Sequence, residues 1–282
     1  MKLPSVFTAF AMLLATPLGA RDLHAFDNGL NDIGKLEDKA ALLAKLGYAG
    51  IAWRPGQTAE MLAALDKNRL KMVATYVMLT ADMKSCAVPP SVIAEIDALK
   101  GRDTIVWLTV NGKTTDELVV PAVREVADVA ARNGLKVALY PHLNFHTDTM
   151  DTTLRIMRKA ERPNVGVCFN LCHFLKLEEE ADLEKTLREA APHLMLVSIN
   201  GADGGETRAM GWDKLIRPLG EGSFDQSKLL RLLDGVGYKG PLALQCFNIK
   251  RPAADHLAKS MDAWRVLTGQ SEIRHRDGAT NR

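Results

Sequence analysis

The 282-residue chain is 47% hydrophobic and 25% charged, with a formal net charge of +2. That is ordinary globular composition, and the length suits one (β/α)8 domain of about 250 residues with extras. Acidic and basic residues are interspersed, so nothing marks a nucleic-acid or anionic-membrane surface.

The first 20 residues stand apart. Lys2 precedes an uncharged apolar run from Val6 to Leu18; Gly19 and Ala20 follow, then Arg21 and Asp22. This is the layout of a secretory signal peptide cut after Ala20, and the run is too short to span a bilayer comfortably. The expectation is a periplasmic or secreted protein without stable membrane insertion once the leader is removed. The bland alternative is a buried N-terminal helix.

From residue 21 to 268, apolar runs alternate with helical patterns. The runs are Leu23–Phe26, Ile51–Trp53, Met72–Tyr76, Thr104–Thr109, Lys136–Tyr140, Val165–Asn170, Met195–Ile199 and Leu242–Gln245. The helical stretches are Lys35–Leu46, Thr58–Asn68, Pro90–Leu99, Thr115–Arg132, Thr147–Ala160, Ala181–Ala190, Gln226–Val236 and Ala253–Leu267. The first carries Leu36, Ala40, Leu43 and Leu46 on one face and stops at Gly47. Eight strand–helix repeats predict an α/β fold, a single (β/α)8 TIM barrel. Gly201–Phe224 is the longest irregular segment, and such loops often bind ligand or act as lids. The polar stretch 269–282 reads as a frayed tail.

Export permits disulfides. Four cysteines, Cys86, Cys168, Cys172 and Cys246, allow three full pairings. Cys168 and Asn170 share a strand face that points into the barrel, so Cys168 reads as a free buried thiol. Cys172 and Cys246 follow non-neighbouring strands and could meet.

Barrel chemistry sits at the C-terminal ends of the strands. There the chain offers Asp27 and Asn28, Trp53 and Arg54, Tyr76, Asn111 and Lys113, Tyr140 and His142, Asn170 and His173, Ser198 and Asn200, then Gln245 and Asn248. Aromatic faces with amides and hydroxyls suit a sugar's C–H faces and hydroxyl groups. His24 and His193 fall at strand beginnings and read as structural. In the long loop, Trp212 could stack on a ring and Arg208 could meet an acidic group. No glycine-rich phosphate cradle is present, which favours an unphosphorylated ligand.

The stretches Val137–His142, Val165–His173, Val197–Gly201, Pro218–Asp225 and Gly237–Gln245 resemble the xylose-isomerase-like barrel superfamily, in a secreted branch. That group includes sugar isomerases and epimerases, hydroxypyruvate isomerase and endonuclease IV. The resemblance covers nearly all the chain after the leader and is strongest from 135 to 246. It implies a divalent metal cofactor held by Glu, Asp, His and Glu after strands five to eight. The matching positions here are Tyr140, Asn170, Ser198 and Gln245. All are neutral, whereas a hard cation needs anionic oxygen to offset its dehydration. No metal ligand is therefore assigned.

The resemblance implies proton transfer beside a carbonyl, and without metal-bound glutamates the base must lie elsewhere. His142 and His173 titrate near neutrality and are the first candidates, with Asp27 third. Trp53, Arg54, Tyr76, Tyr140, Asn170, Asn200, Trp212 and Gln245 are the expected substrate-binding groups. The reading is an exported sugar isomerase/epimerase-like enzyme acting on an unphosphorylated sugar or keto-sugar. The competing reading is a non-catalytic carbohydrate-binding protein on a degenerate isomerase barrel. A DNA-repair endonuclease is disfavoured, because it needs several zinc ions held by His, Asp and Glu. A two-carboxylate glycosidase would have to draw on Asp27, Asp203 and Glu206.

Overall fold

The alternation of apolar residues dictates how the strands close. A computed structural model describes residues 21–270; the first 20 residues, on which the signal-peptide expectation falls, and most of the polar tail lie outside the described residues. The strands are β1 (Leu23–Phe26), β2 (Gly50–Trp53), β3 (Lys71–Thr80), β4 (Ile105–Asn111), β5 (Lys136–Leu139), β6 (Val165–Asn170), β7 (Leu194–Ile199) and β8 (Leu242–Leu244). Each pairs in parallel with the next, and β8 returns to β1, closing a single eight-stranded barrel as expected.

Successive side chains on a strand point to opposite sides. One set (Phe26, Ala52, Ala74, Trp107, Ala138, Tyr140, Cys168, Leu196 and Ala243) fills the barrel interior. The alternate set, including Ala25, Ile51, Trp53, Val106, Val137, Phe169, Val197 and Leu242, packs in the layer beneath the helices. Trp107 is fully buried and stacks on Phe26 with centroids 4.6 Å apart. The interior is therefore a packed core with a solid floor.

The helices are α1 (Leu36–Leu46), α2 (Thr58–Lys67), α3 (Pro90–Ala98), α4 (Asp116–Arg132), α5 (Met150–Ala160), α6 (Leu171–Leu177), α7 (Leu183–Ala190), α8 (Trp212–Leu215), α9 (Gln226–Gly235) and α10 (Ala253–Leu267). Gly47 ends α1 in the left-handed region, where glycine costs least, and its N–H bonds the Leu43 and Ala44 carbonyls. None of the described helices is long and apolar enough to cross a membrane.

Three features differ from the sequence expectation. Strand β3 runs four residues past Tyr76 and stays paired with β4 through Thr80 and Asn111, raising a wall above the rim. Helix α6 follows β6 directly, and its buried Leu171, Phe174 and Leu175 seat it on the core. Helix α8 interrupts the long loop. All four cysteines are free, Cys168, Cys172 and Cys246 being buried. His24 is buried at the N-terminal end of the barrel, with Nδ1 3.2 Å from the Leu242 carbonyl.

A charge cluster ties α4 to α5. Asp116, 11% exposed at its side chain, accepts from His146 Nε2 at 2.9 Å, Arg155 Nε at 2.9 Å and Lys159 Nζ at 2.7 Å. The Arg155 hydrogen bond foremost, with Lys159 and His146, holds its carboxyl well below the ordinary value of 3.8. A depressed carboxylate stabilises the fold above its unfolded pKa and loses that contribution as pH falls through the folded value. Asp116→Asn is therefore expected to cost about 1–2 kcal/mol at pH 7, a modest figure because Arg155 and Lys159 are solvent-screened. The deficit should shrink as pH drops below 3.8. Thermal denaturation at pH 7 and pH 3 checks this; a deficit that grows on acidification would contradict it.

Candidate active site

The strand ends open onto a cavity of about 430 Å³. Phe26, Tyr76, Tyr140, Trp212, Ile216 and Phe247 form its apolar walls. Asp27, Asn28, Arg54, His142, His173 and Gln245 supply its polar groups. Residue type and strand position point to nine of these twelve in the sequence, counting Asn28. Phe26, Ile216 and Phe247 escape that reasoning. Phe247 lies in the turn beyond β8, outside the reach of strand alternation.

His142 and His173 come together, with ring centroids 4.2 Å apart. Their protonation is set by one residue. His142 Nδ1 lies 3.0 Å from the Leu143 carbonyl, which can only accept, so Nδ1 carries the proton and Nε2 the lone pair. The Leu143 N–H donates to His173 Nδ1 at 3.2 Å, so His173 carries its proton on Nε2. The intervening turn is closed by His142 N–H to the Thr147 carbonyl at 2.9 Å. Burial lowers the pKa of His142 below 6.5. Burial, then the neighbouring His142, pushes His173 down to about 3. At neutral pH the pair thus offers one nitrogen lone pair and one N–H.

Asp27 sits in the turn after β1 with its side chain 8% exposed. Burial raises its pKa, and the Arg54 hydrogen bond opposes that rise. Arg54 donates Nε to Asp27 and Nη2 to Asn31 Oδ1 at 2.7 Å. The carboxylate is therefore committed to a guanidinium, which leaves Asp27 poorly placed to act as a free base. Burial also pushes the Tyr76 hydroxyl up to about 12, so it is a neutral donor at physiological pH. Tyr140 is raised further, again by burial, and meets Trp107 and Tyr76 edge to face.

Three expected binding residues lie away from the cavity. Trp53 shares the outward face of β2 with Ile51; it packs under the helices and donates Nε1 to the Gly56 carbonyl at 3.0 Å. Asn200 is wholly buried, and its Nδ2 bonds the Gly201 and Leu215 carbonyls, stapling the loop after β7. Asn170 lies beneath the cavity: Oδ1 accepts from the Cys172 thiol at 3.2 Å, while Nδ2 is buried without a partner.

Tyr140, Asn170, Ser198 and Gln245 stand at the ends of β5 to β8, each two residues beyond an inward-facing side chain of its strand (Ala138, Cys168, Leu196 and Ala243). Their chemistry does not fit a divalent cation. Gln245 Oε1 already accepts from Asn28 Nδ2 at 2.6 Å, Cys246 N at 3.0 Å and Phe247 N at 2.9 Å. Three donors saturate an amide oxygen. The other members are a neutral phenol, an amide and a hydroxyl. Among the described residues, no group of three or more His, Cys, Asp and Glu could hold a metal ion. Adding Mn²⁺, Mg²⁺ or Zn²⁺ is expected to shift the melting temperature by less than about 1 °C, because a ligand must bind the folded state to stabilise it. A saturable upward shift reversed by a chelator would overturn this assignment.

The description "xylose isomerase-like TIM barrel" matches residues 40–267. A 3-dehydroshikimate dehydratase of Pseudomonas aeruginosa is 26% identical over 185 residues, 61% of this chain and 28% of that protein. The match thus spans less than a third of that relative's length. Among solved structures, the 3-keto-D-glucoside 4-epimerase of E. coli superposes with a TM-score of 0.69 at 15% identity, covering 89% of this chain and all of that one. The D-allulose 3-epimerase of Methylomonas sp. gives a TM-score of 0.69 at 15% identity, over 88% of this chain and 98% of that one. At such identities the likeness is one of fold.

Proposed function

The chain belongs to the xylose isomerase-like TIM barrel family, and from that premise we propose that it moves a proton at the carbon beside a carbonyl of an unphosphorylated, sugar-like substrate. The observation that carries this reading is the complementary histidine pair. His142, which lines the cavity, takes the proton on its unprotonated Nε2. His173 Nε2–H donates a hydrogen bond to the carbonyl oxygen as negative charge develops there. An imidazole held neutral by its surroundings can polarise a carbonyl in this way without first becoming an imidazolium. The resulting enolate takes a proton back from the His142 imidazolium, giving an epimer or, once a proton has shifted between the two enediol oxygens, an isomer; alternatively it expels a β-hydroxyl, which leaves as water with that same proton. Epimerase and dehydratase outcomes thus share the same first step, in keeping with the relatives above.

The remaining cavity groups bind and orient. Tyr76, Tyr140 and Trp212 offer faces for ring C–H groups, and Arg54 and Gln245 offer polar contacts. The reading needs no cation, in keeping with the neutral layer of Tyr140, Asn170, Ser198 and Gln245. The leader-like first 20 residues support export to the periplasm or beyond.

The test is deuterium wash-in from D₂O, followed by NMR, with D-allulose, a 3-keto-D-glucoside and 3-dehydroshikimate. Exchange beside the carbonyl in at least one compound is the expected result. Saturable binding without exchange in any of them would sink the catalytic reading and favour the non-catalytic carbohydrate-binding protein.

A further inference from the structure

The main cavity has a neighbour. A groove of about 260 Å³ runs between the loop after β8 and the turn after β1, and Asn28 and Phe247 line both spaces. We propose that this groove is a second sugar subsite, so that the substrate is a glycoside whose reacting ring fills the main cavity while its linked ring or aglycone lies against Phe247. The proposal rests on reading the main cavity as a sugar site.

Phe247 is 53% exposed, one of three large apolar side chains at least so exposed among the described residues, with Met83 and Val266. An aromatic ring left in solvent at the junction of two cavities is a platform awaiting an apolar face. Its position is set, because its N–H bonds Gln245 Oε1 at 2.9 Å. The loop then turns through Asn248, whose φ of 61° is left-handed, a conformation uncommon outside glycine and concentrated at functional positions. Asn248 and Lys250 stand exposed along the groove.

His256 lines the opposite side and is 2% exposed. Its Nε2 lies 3.0 Å from the Gly29 carbonyl and must donate to it, which leaves Nδ1 a buried acceptor without a donor.

The charges favour a polyol over an anion. Arg251 is engaged with Glu221 at 2.6 Å, and the Asp32 carboxylate faces the same groove as Lys250. Of the groove's two cations, only Lys250 is without an ion-pair partner among the described residues, and the groove's own carboxylate, Asp32, opposes an anion there. An aromatic platform with amide, ammonium and carboxylate groups beside it matches a sugar ring's apolar face and hydroxyl rim.

The experiment titrates the full chain by tryptophan fluorescence, which Trp212 in the cavity wall should report. D-Glucose and D-allulose serve as single rings; maltose, trehalose and phenyl β-D-glucoside serve as glycosides. At least one glycoside should bind about tenfold tighter than either single ring, the gain expected of one stacked ring. Phe247→Ala should remove that advantage and Phe247→Trp should keep it. The Asn248→Ala, Lys250→Ala double variant spares the lining of the main cavity and should weaken the glycoside at least threefold, roughly the loss of one hydrogen bond, with single rings unchanged. Equal affinity for single rings and glycosides in the unaltered protein overturns the subsite and leaves the main-cavity reading standing. Binding of none of the five sugars removes both.

Discussion

Replacing His142 with Asn is expected to slow proton exchange beside the substrate carbonyl by about 10²–10⁴-fold, the usual contribution of a positioned general base. Substrate binding should change far less, because the loss falls on the transition state. Asn can reproduce the Nδ1–H contact to Leu143 but has no lone-pair nitrogen to accept a proton, so the fold should survive. His173→Phe removes the hydrogen-bond donor and should also depress turnover, by about 10²–10³-fold as for a single oxyanion-hole donor. The two positions are separable by pH. His142 must be unprotonated to act, and burial holds its pKa below 6.5. The rate should therefore be flat near neutrality and fall as pH drops through that lowered value. His173 remains neutral down to about 3 and adds no second acid limb above that point. A rate that rises on acidification between pH 7 and 5 would mean that His142 acts as an acid, and the assignment would have to be reversed.

Trp107→Ala should be among the most destabilising single changes in the barrel, costing about 3–5 kcal/mol as large-to-small aromatic core substitutions do. Trp107 is wholly buried inside the barrel, stacked on Phe26 and edge-on to Tyr140, each at 4.6 Å. Nothing nearby can collapse into the vacated space, because the surrounding strands are hydrogen-bonded into a closed ring. For a domain of this size each kcal/mol shifts the melting temperature by about 2–4 °C, so a fall of about 6–20 °C is expected. Phe26 and Tyr140 also wall the cavity, so ligand binding should weaken along with stability. Trp107→Phe keeps most of the packing and should recover much of both. A shift under about 2 °C for the Ala variant would show that the floor does not bear on the core as described.

The strand ends illustrate how far residue patterns carry. The family resemblance matched Tyr140, Asn170, Ser198 and Gln245 to the ends of strands five to eight, and alternation along each strand keeps them on the inner face with Ala138, Cys168, Leu196 and Ala243. The same rule, applied strictly, sends Trp53 outward, since Ala52 is the inward residue of that strand. Its chemistry suggested a sugar platform, but its parity forbade it. Asn200 shows a different failure: its amide is consumed by loop carbonyls 1 and 15 residues away, a demand that arises only once the loop after β7 has folded.

What the sequence by itself determined is the barrel and the ring of groups at its mouth. Strand and helix periods are local properties, and eight repeats admit one closed solution in which strand ends converge. It also determined the neutrality of the layer at the ends of β5 to β8, because charge is read from residue type. The tertiary structure alone decided protonation and partnership. The tautomers of His142 and His173 depend on Leu143, which carries no chemical signature in the sequence. Asp27 is tied to Arg54 across two strand ends, and Gln245 Oε1 is saturated by Asn28 and the chain beyond it. Hydrogen bonds between segments distant in sequence fix these states: Leu143 to His173 spans 30 residues, Arg54 to Asp27 spans 27 and Asn28 to Gln245 spans 217, and such bonds exist only after the ring has closed.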